Sequence, residues 1–124
     1  AVIKGIDHRI ETANLGARDL TRSVSTELAA AGAGVGRGKV DVAELYAPFS
    51  HQEIILQRSL GLGDDVTINA SGGALSANPI MSAGLARIGE ATRQINAGKG
   101  KRAVAHATSG PCLQQNLVCV LEGE

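Results

Sequence analysis

The chain has 124 residues, a length that supports one modest hydrophobic core without metal or disulfide support, and we expect a single domain over residues 1–124. Twelve Lys and Arg balance twelve Asp and Glu, which argues against the basic surface of a nucleic-acid binder or of a protein held on anionic lipid. With 16 glycines and only one Tyr and one Phe, the core must be built from small aliphatic side chains packed closely against backbone. Such a composition suits a compact α/β fold.

The cysteine content and the hydropathy pattern bear on location. Cys112 and Cys119 are too few and too close in sequence for the disulfide framework of a small secreted domain, so we expect a reducing, cytoplasmic environment. No apolar run approaches the roughly 20 residues that a helix needs to cross a bilayer, and no membrane span is expected. The chain opens on Ala1 directly into a predicted strand, and we expect it to be a fragment or a processed piece.

Alternating and continuous apolar runs predict five strands. Residues 2–12 have the pattern of a moderately exposed strand, and residues 64–69 that of a short one. The small and branched apolar residues at 40–46, 102–108 and 116–122 predict central strands, because such runs need cover on both faces of a sheet.

Three helices are predicted between these strands. Asp19 is expected to cap the first helix and Gly32 to end it. Ser50 and Glu53 have the spacing of a capping box at the start of the second, and Pro79 is a favourable first-turn residue for the third. The resulting order, βαβαβαββ, predicts a layered α/β fold in which helices cover a mixed sheet.

Three loops contain residue combinations that are unusual for simple connectors. They are 46–50, 71–79 and 109–112, and each follows a strand or opens a helix. In interleaved α/β sheets, the loops at the carboxyl ends of the strands gather at one edge, where ligands usually bind. We therefore expect the three loops to converge on a single site.

Four short motifs in and near these loops resemble a known family. Residues 44–53 read Glu-Leu-Tyr-Ala-Pro-Phe-Ser-His-Gln-Glu, residues 69–73 Asn-Ala-Ser-Gly-Gly, residues 77–79 Ala-Asn-Pro and residues 113–116 Leu-Gln-Gln-Asn. In the same order, the sterol-carrier-protein-x type of the thiolase superfamily has Glu-Leu-His-Asp-Cys-Phe-Ser-x-Asn-Glu, Asn-Pro-Ser-Gly-Gly, Gly-His-Pro and Leu-Gln-His-Asn. The resemblance covers about residues 18 to 123 and implies the C-terminal half of the thiolase fold, a layered αβα arrangement.

The resemblance also implies an activity and partners. It implies part of an acyl-CoA acetyltransferase-like enzyme that makes or breaks a carbon–carbon bond next to a thioester, in lipid or sterol metabolism. A coenzyme A thioester would be the substrate, with no separate cofactor and no metal. The family's acyl-carrying cysteine lies in its N-terminal half, and nothing here matches that segment. The chain is therefore expected to pair with an N-terminal half or a partner chain, in a homo- or hetero-oligomer, and not to be active alone.

The departures from the family fall on its acid–base residues. Tyr46 and Asn78 stand where the family has histidines, and Pro48 stands where it has a cysteine. By the resemblance, Cys112 approximates the second thiolase cysteine, a general acid and base at the α-carbon of the acyl group. Tyr46 and Asn78 are then candidate hydrogen-bond donors to the oxyanion that develops there.

Each of these candidates also has an ordinary structural interpretation. Cys112 could be a small buried thiol, Tyr46 a cover for the end of the sheet, and Asn78 a turn residue before a proline. Cys119, inside an apolar strand, is expected to be core packing, and His106 a hydrogen-bonded strand histidine.

The third candidate segment is the turn formed by Ser71, Gly72 and Gly73, which matches the family's Ser-Gly-Gly and is expected to contact the coenzyme A thioester.

Two other functions stay open. One is a retro-aldol carbon–carbon lyase acting on an acyl-CoA side chain, which Tyr46 favours because a phenol can serve as the acid where histidine and cysteine are absent. The other is a non-catalytic thiolase-like subunit, which the replaced histidines permit.

Overall fold

Strands and helices alternate along the chain in the predicted order. The computed structural model describes all residues, 1–124. The strands are β1 (Val2–Ile10), β2 (Val42–Leu45), β3 (Thr67–Ile68), β4 (Arg102–Ser109) and β5 (Gln115–Glu122). The helices are α1 (Val24–Ala33), α2 (Ser50–Ser59), α3 (Gly73–Ser76) and α4 (Ala83–Asn96). Only the single-turn helix α3 was absent from the sequence-based prediction.

The five strands form one mixed sheet in the order β1-β5-β4-β2-β3. β2 runs parallel to both β3 and β4, whereas β5 runs antiparallel to β4 and β1. The three segments predicted as central strands are β2, β4 and β5, and they occupy the three inner positions, which confirms that prediction. β1, β2, β3 and β4 consequently point the same way, and their carboxyl ends meet at one edge of the sheet.

Helices cover both faces of this sheet and enclose a separate hydrophobic core on each. The core under α1 and α2 includes Ala29, Ala33, Leu56, Val104 and Val118. The core under α4 includes Val42, Ala91, Ile95, Ala105 and Cys119. The predicted layered α/β fold, with helices on both sides of a mixed sheet, is confirmed.

Small residues let α1 lie almost in contact with the backbone of β1. A Cβ atom added to Gly5 would lie 2.1 Å from the carbonyl oxygen of Ala33, and one added to Gly32 would lie 1.7 Å from Oδ2 of Asp7. Both distances are far below any van der Waals contact, so larger side chains would force the helix away from the strand. The glycine-rich composition therefore serves close helix–sheet packing, as the sequence indicated.

The predicted ends of α1 are wrong by a few residues. Ser23 caps the helix, and its hydroxyl accepts from the amide of Thr26. Asp19 lies in a separate turn before the helix, where its carboxylate accepts from the amide of Thr21 at 2.9 Å. The helix ends at Gly34, which has a left-handed backbone conformation. Gly32 lies within the helix, where its missing side chain leaves room for Asp7 of β1.

The predicted capping box of α2 is also wrong. The N-cap is Phe49, and no side chain caps this helix. Glu53 is drawn away because its carboxylate accepts from Nδ2 of Asn69 at 2.5 Å, a contact between α2 and the loop after β3. Gly61, with φ +66°, ends the helix as predicted.

None of the four helices combines the length and the apolar character that crossing a membrane would require.

Candidate functional site

Two of the three predicted loops form one cavity at the carboxyl edge of the sheet. The cavity has a volume of about 600 Å³. Its wall combines residues of the loop after β2, the start of α4 and the loop after β4: Tyr46, Pro48, Phe49, Gln52, Ile80, Met81, Gly84, Thr108, Ser109, Gly110, Pro111 and Cys112. The predicted convergence therefore holds for two of the three loops, since no residue of 71–79 lines this space, which we call the main cavity.

A second, more apolar cavity of about 400 Å³ adjoins the first on the side of α1 and α2. It is lined by Leu20, Phe49, His51, Gln52, Ile55, Cys112 and Leu113. Phe49, Gln52 and Cys112 line both spaces. Cys112 is therefore one of three residues that the main cavity and this side cavity share.

Cys112 lies in an exposed loop between β4 and β5, whereas Cys119 is fully buried in β5. Burial raises the pKa of the Cys119 thiol, because a thiolate loses its hydration in an apolar core. Cys119 is thus core packing, as expected. Cys112 is not a small buried thiol, the structural alternative considered above, since the residue is exposed.

Tyr46 follows β2 and is nearly enclosed. Its amide extends the ladder with β4 by donating to the carbonyl of His106 at 3.2 Å, and its side chain packs against Ala74 and Ala83. Only 8% of the residue is exposed, yet it lines the main cavity. A phenol in such a partly dry position can donate a strong hydrogen bond to an anionic oxygen.

Asn78 and the 71–73 turn lie beside this cavity and not in its wall. Asn78 is exposed, two residues before Ile80. The main-chain amides of the turn are used within the chain, since Gly72 donates to the carbonyl of Asn69 at 2.8 Å and Gly73 to the hydroxyl of Ser71 at 3.1 Å. The roles assigned to these residues by the resemblance stay predictions.

Ser71 is anchored to a buried ion pair that the sequence did not reveal. Glu44 lies fully buried in β2, and its Oε2 accepts from Nη1 of Arg87 at 3.2 Å and from the Ser71 hydroxyl at 2.6 Å. Gln94 of α4 donates to the other carboxylate oxygen. Both oxygens of the buried carboxylate are therefore hydrogen-bonded, as a buried charge requires, whereas Nε of Arg87 has no partner. This cluster fixes the 71–73 turn and α4 against the central sheet.

Gln52, on the first turn of α2, was missed by the sequence analysis. Its Oε1 is buried without a hydrogen-bond partner, although the residue lines both cavities. Buried amide oxygens usually have a partner, so this group is available to a ligand. The signal was present, because Gln52 occupies the position of the asparagine in the family's Phe-Ser-x-Asn-Glu motif.

His106 is buried in β4 behind the main cavity. Its Nε2 is 2.9 Å from Oδ1 of Asn116, whereas Nδ1 has no partner. Burial lowers the pKa of His106 to about 4, although the Asn116 hydrogen bond acts in the opposite direction. The expected hydrogen-bonded strand histidine is confirmed for one ring nitrogen, and the imidazole is neutral at pH 7.

No group of three or more His, Cys, Asp or Glu side chains is arranged to hold a metal ion. The polar groups in the walls of the two cavities include the thiol of Cys112, the phenol of Tyr46, the amide of Gln52 and the imidazole of His51. Such groups can move a proton and stabilise an oxyanion.

Comparison with known proteins identifies the fold. No protein-family model and no curated protein matches the sequence of this chain. The structure is similar to that of human mitochondrial 3-ketoacyl-CoA thiolase, with a TM-score of 0.74 and 21% sequence identity. The similarity covers 98% of this chain and 30% of that one, so the chain spans less than a third of the thiolase's length. The chain has the fold of one part of a thiolase.

Proposed function

We propose that this chain is the C-terminal part of a thiolase-like acyl-CoA enzyme that makes or breaks a carbon–carbon bond next to a thioester. The observation that carries the proposal is that Tyr46 and Cys112 line one cavity at the carboxyl edge of a thiolase-fold sheet. The loop motifs support a relative of the sterol-carrier-protein-x type. A coenzyme A thioester is the proposed substrate, and a cytoplasmic location is proposed with it.

In the proposed mechanism, Cys112 is the acid–base group. Its thiolate removes a proton from the α-carbon, and the electron pair moves to the thioester oxygen to give an enolate. The Tyr46 hydroxyl donates a hydrogen bond to that oxygen, and we propose that Nε2 of Gln52, a residue of the same cavity wall, donates a second. In the reverse direction the Cys112 thiol returns the proton to carbon.

Asn78 and the 71–73 turn have supporting roles in this proposal. Asn78 is placed to meet a substrate that extends past Ile80, where its amide would donate to an oxygen of the thioester arm. Ser71, Gly72 and Gly73 hold the start of α3 beside Tyr46 and are proposed to contact the coenzyme A portion from outside the main cavity.

The side cavity supports a substrate with a hydrocarbon part. Leu20, Phe49, Ile55 and Leu113 supply most of its wall, and its volume of about 400 Å³ lies in the usual range for ligand pockets. Because Cys112 borders both spaces, an acyl group that places its α-carbon at the thiol can direct its apolar remainder into the side cavity. We propose this arrangement for a lipid or sterol side chain.

The exposed apolar residues support a partner on the α4 side of the sheet. Leu75, Ile80, Met81 and Leu85, at and before the start of α4, are 68–99% exposed. A contiguous apolar surface of this kind usually marks an interface. We propose that the N-terminal part of the fold, or a partner chain that supplies it, covers α4 and completes the enzyme.

The pairing is tested by sedimentation of the chain alone at low concentration. The proposal predicts that the chain self-associates or binds a hydrophobic dye, and that Met81→Glu together with Leu85→Glu suppresses both effects. Ile54→Glu, on the exposed face of α2, is the matched control. A compact wild-type monomer that binds no dye would contradict the proposal.

A retro-aldol lyase acting on a β-hydroxyacyl-CoA is the second candidate function. It is favoured by the enclosed phenol of Tyr46, whose hydroxyl makes no hydrogen bond within the chain. In that reaction the β-hydroxyl is deprotonated, the bond between the α- and β-carbons breaks, and the resulting enolate is protonated at its α-carbon. Tyr46 would be the acid that protonates the α-carbon, so this reaction does not require the thiol of Cys112.

The two functions are separated by assaying the protein that carries this chain with a 3-ketoacyl-CoA plus coenzyme A, and with a 3-hydroxyacyl-CoA. Thiolase activity that Cys112→Ala lowers by about 10²–10⁴-fold supports the first function. Lyase activity that Tyr46→Phe abolishes and Cys112→Ala leaves intact supports the second. Cys119→Ala is the control, because that thiol is buried away from both cavities. If neither substrate turns over, both proposals fail.

A further inference from the structure

The loop that carries Cys112 adopts a backbone conformation that its sequence does not favour. Cys112 has φ +53° and Leu113 has φ +58°, two consecutive left-handed residues, neither of them glycine. L-residues with a Cβ atom rarely adopt this region, because the Cβ crowds the following carbonyl. Conformations of this kind persist only when the surrounding structure holds them, and they concentrate at functional sites.

The side chain of Arg18 holds this loop. Its Nη2 donates to the carbonyl of Cys112 at 2.6 Å and to that of Leu113 at 3.2 Å, and its Nη1 donates to the carbonyl of Pro111 at 3.3 Å. Three successive carbonyl groups would repel one another if they converged on an empty space. A guanidinium offsets that repulsion, since its fork of donors is planar and its hydrogen bonds carry charge.

Arg18 is itself fixed from behind. Its side chain is only 3% exposed, and its Nε lies 3.5 Å from Oε1 of Glu11, which follows β1. The other oxygen of Glu11 accepts from the amide and the hydroxyl of Ser25. Asn116 of β5 donates to that same hydroxyl at 2.7 Å and to the carbonyl of Leu113 at 2.8 Å. The guanidinium therefore cannot move away from the loop without breaking its ion pair with Glu11, the contact that Nε of Arg18 makes in place of a hydrogen bond.

Taken with the proposed role of Cys112, on which this inference rests, we infer that Arg18 is the positioning residue for that thiol. Arg18 lines neither cavity, so it does not touch the substrate. It acts by holding residues 111–113 in the turn that places the thiol of Cys112 between the two cavities. When the hydrogen bonds from Arg18 to these carbonyls are lost, Cys112 and Leu113 relax toward ordinary negative φ values, and the thiol of Cys112 samples several positions.

The inference is tested with a fluorine label on Cys112 in the protein that carries this chain. The thiol is alkylated with bromotrifluoroacetone, the site of labelling is checked by mass spectrometry, and ¹⁹F spectra are compared. We expect one resonance in the wild-type protein and additional or displaced resonances in Arg18→Gln. Arg22→Gln is the matched control, because Arg22 is an exposed arginine whose side chain pairs with Glu27 and makes no hydrogen bond to residues 111–113. Its spectrum is expected to equal that of the wild type.

Arg18→Lys keeps the test decisive if Arg18→Gln does not fold. A lysine retains the charge and the aliphatic stem, but its compact ammonium lacks the planar fork that spans three carbonyls. We expect a spectrum between those of the wild type and Arg18→Gln. A single resonance at the wild-type position in every folded Arg18 variant would overturn the inference.

Turnover gives an independent readout where the proposed activity is present. Misplacing a reacting group by about 1 Å can cost about 10²-fold in rate, so Arg18→Lys is expected to lower kcat by about 10- to 10²-fold with little change in KM. The fluorine spectra do not depend on turnover. A Cys112→Ala variant with full activity would refute the proposed function and leave the spectral test of Arg18 intact.

Discussion

The carboxylate of Glu44, in the fully buried centre of the sheet, lies 3.2 Å from the guanidinium of Arg87 on α4. This pair joins the central strand to the helix whose outer face is uncovered. It also supports the Ser71 hydroxyl, and through it the turn beside Tyr46. The position of the candidate site therefore depends on a buried charge pair whose members are close in sequence to the wall residues Tyr46 and Gly84 but do not line the cavity.

Removing one member of this pair is expected to be costly. Glu44→Gln leaves the Arg87 cation buried without a counter-charge, and such changes lower the free energy of unfolding by about 3–5 kcal/mol. Urea denaturation measures the difference. Arg93→Ala breaks the exposed pair with Glu90 and is expected to stay within about 1 kcal/mol of wild type. Equal losses in the two variants would contradict the assigned importance of Glu44.

Stability is expected to fall with acid below pH 6.5 because of His106. Burial lowers the pKa of His106 from 6.5 to about 4. Between pH 6.5 and pH 4, His106 is therefore protonated in the unfolded chain and neutral in the folded chain. The stability is fully present above about pH 6.5 and is lost as the pH falls toward 4, by about 3 kcal/mol at most.

The measurement for His106 is urea denaturation at a series of pH values. His106→Gln, which keeps a hydrogen bond to Asn116 and cannot titrate, should have a flatter profile between pH 6.5 and 4.5. An unchanged slope in that variant would assign the pH dependence to other groups.

The two glycines of α4 are predicted to respond to alanine in opposite directions. A Cβ at Gly84 would lie 2.7 Å from the Cβ of Ala107, whereas one at Gly89 meets nothing within 4 Å. Gly84→Ala should therefore destabilise the chain, by about 1–3 kcal/mol for overpacking, and Gly89→Ala should stabilise it by up to about 1 kcal/mol through helix propensity. Thermal unfolding of the two variants compares them directly; the same sign for both would refute the packing of α4 on β4.

The two cysteines should differ in reactivity. An alkylating reagent is expected to modify Cys112, which is exposed, well before Cys119, which is fully buried and whose thiol has a raised pKa. Peptide mapping by mass spectrometry over a time course of labelling measures both rates. Modification of Cys119 first, in folded protein, would mean that β5 is not a covered inner strand.

Much of the fold follows from local pattern. The apolar runs of β2, β4 and β5 predicted inner strands. Strands that are covered by helices on both faces of a sheet need apolar residues on both faces, and such strands lie in the interior of the sheet. The ends of the helices did not follow, since Glu53 is drawn to Asn69 and Gly32 is used against β1. In both cases a contact between distant segments outweighed a local capping signal.

The candidate site divides in the same way. The loops of Tyr46 and Cys112 were predicted because each follows a strand that ends at the ligand-binding edge, and the two residues were chosen within them by the family resemblance. Arg18 was not predicted, because its role depends on β1 bringing Glu11 to the loop after β4. The left-handed backbone of Cys112 and Leu113 also had no signal in the sequence, where such a turn would normally contain glycine or asparagine.

The central claim is that Cys112 moves a proton at the α-carbon of an acyl-CoA, and α-proton exchange tests it most directly. The protein that carries this chain is incubated with an acyl-CoA in deuterium oxide, and deuterium at the α-carbon is followed by mass spectrometry. We predict enzyme-dependent exchange that Cys112→Ala slows by about 10²–10⁴-fold and Cys119→Ala leaves unchanged. Exchange at the wild-type rate in a folded Cys112→Ala protein would contradict the account.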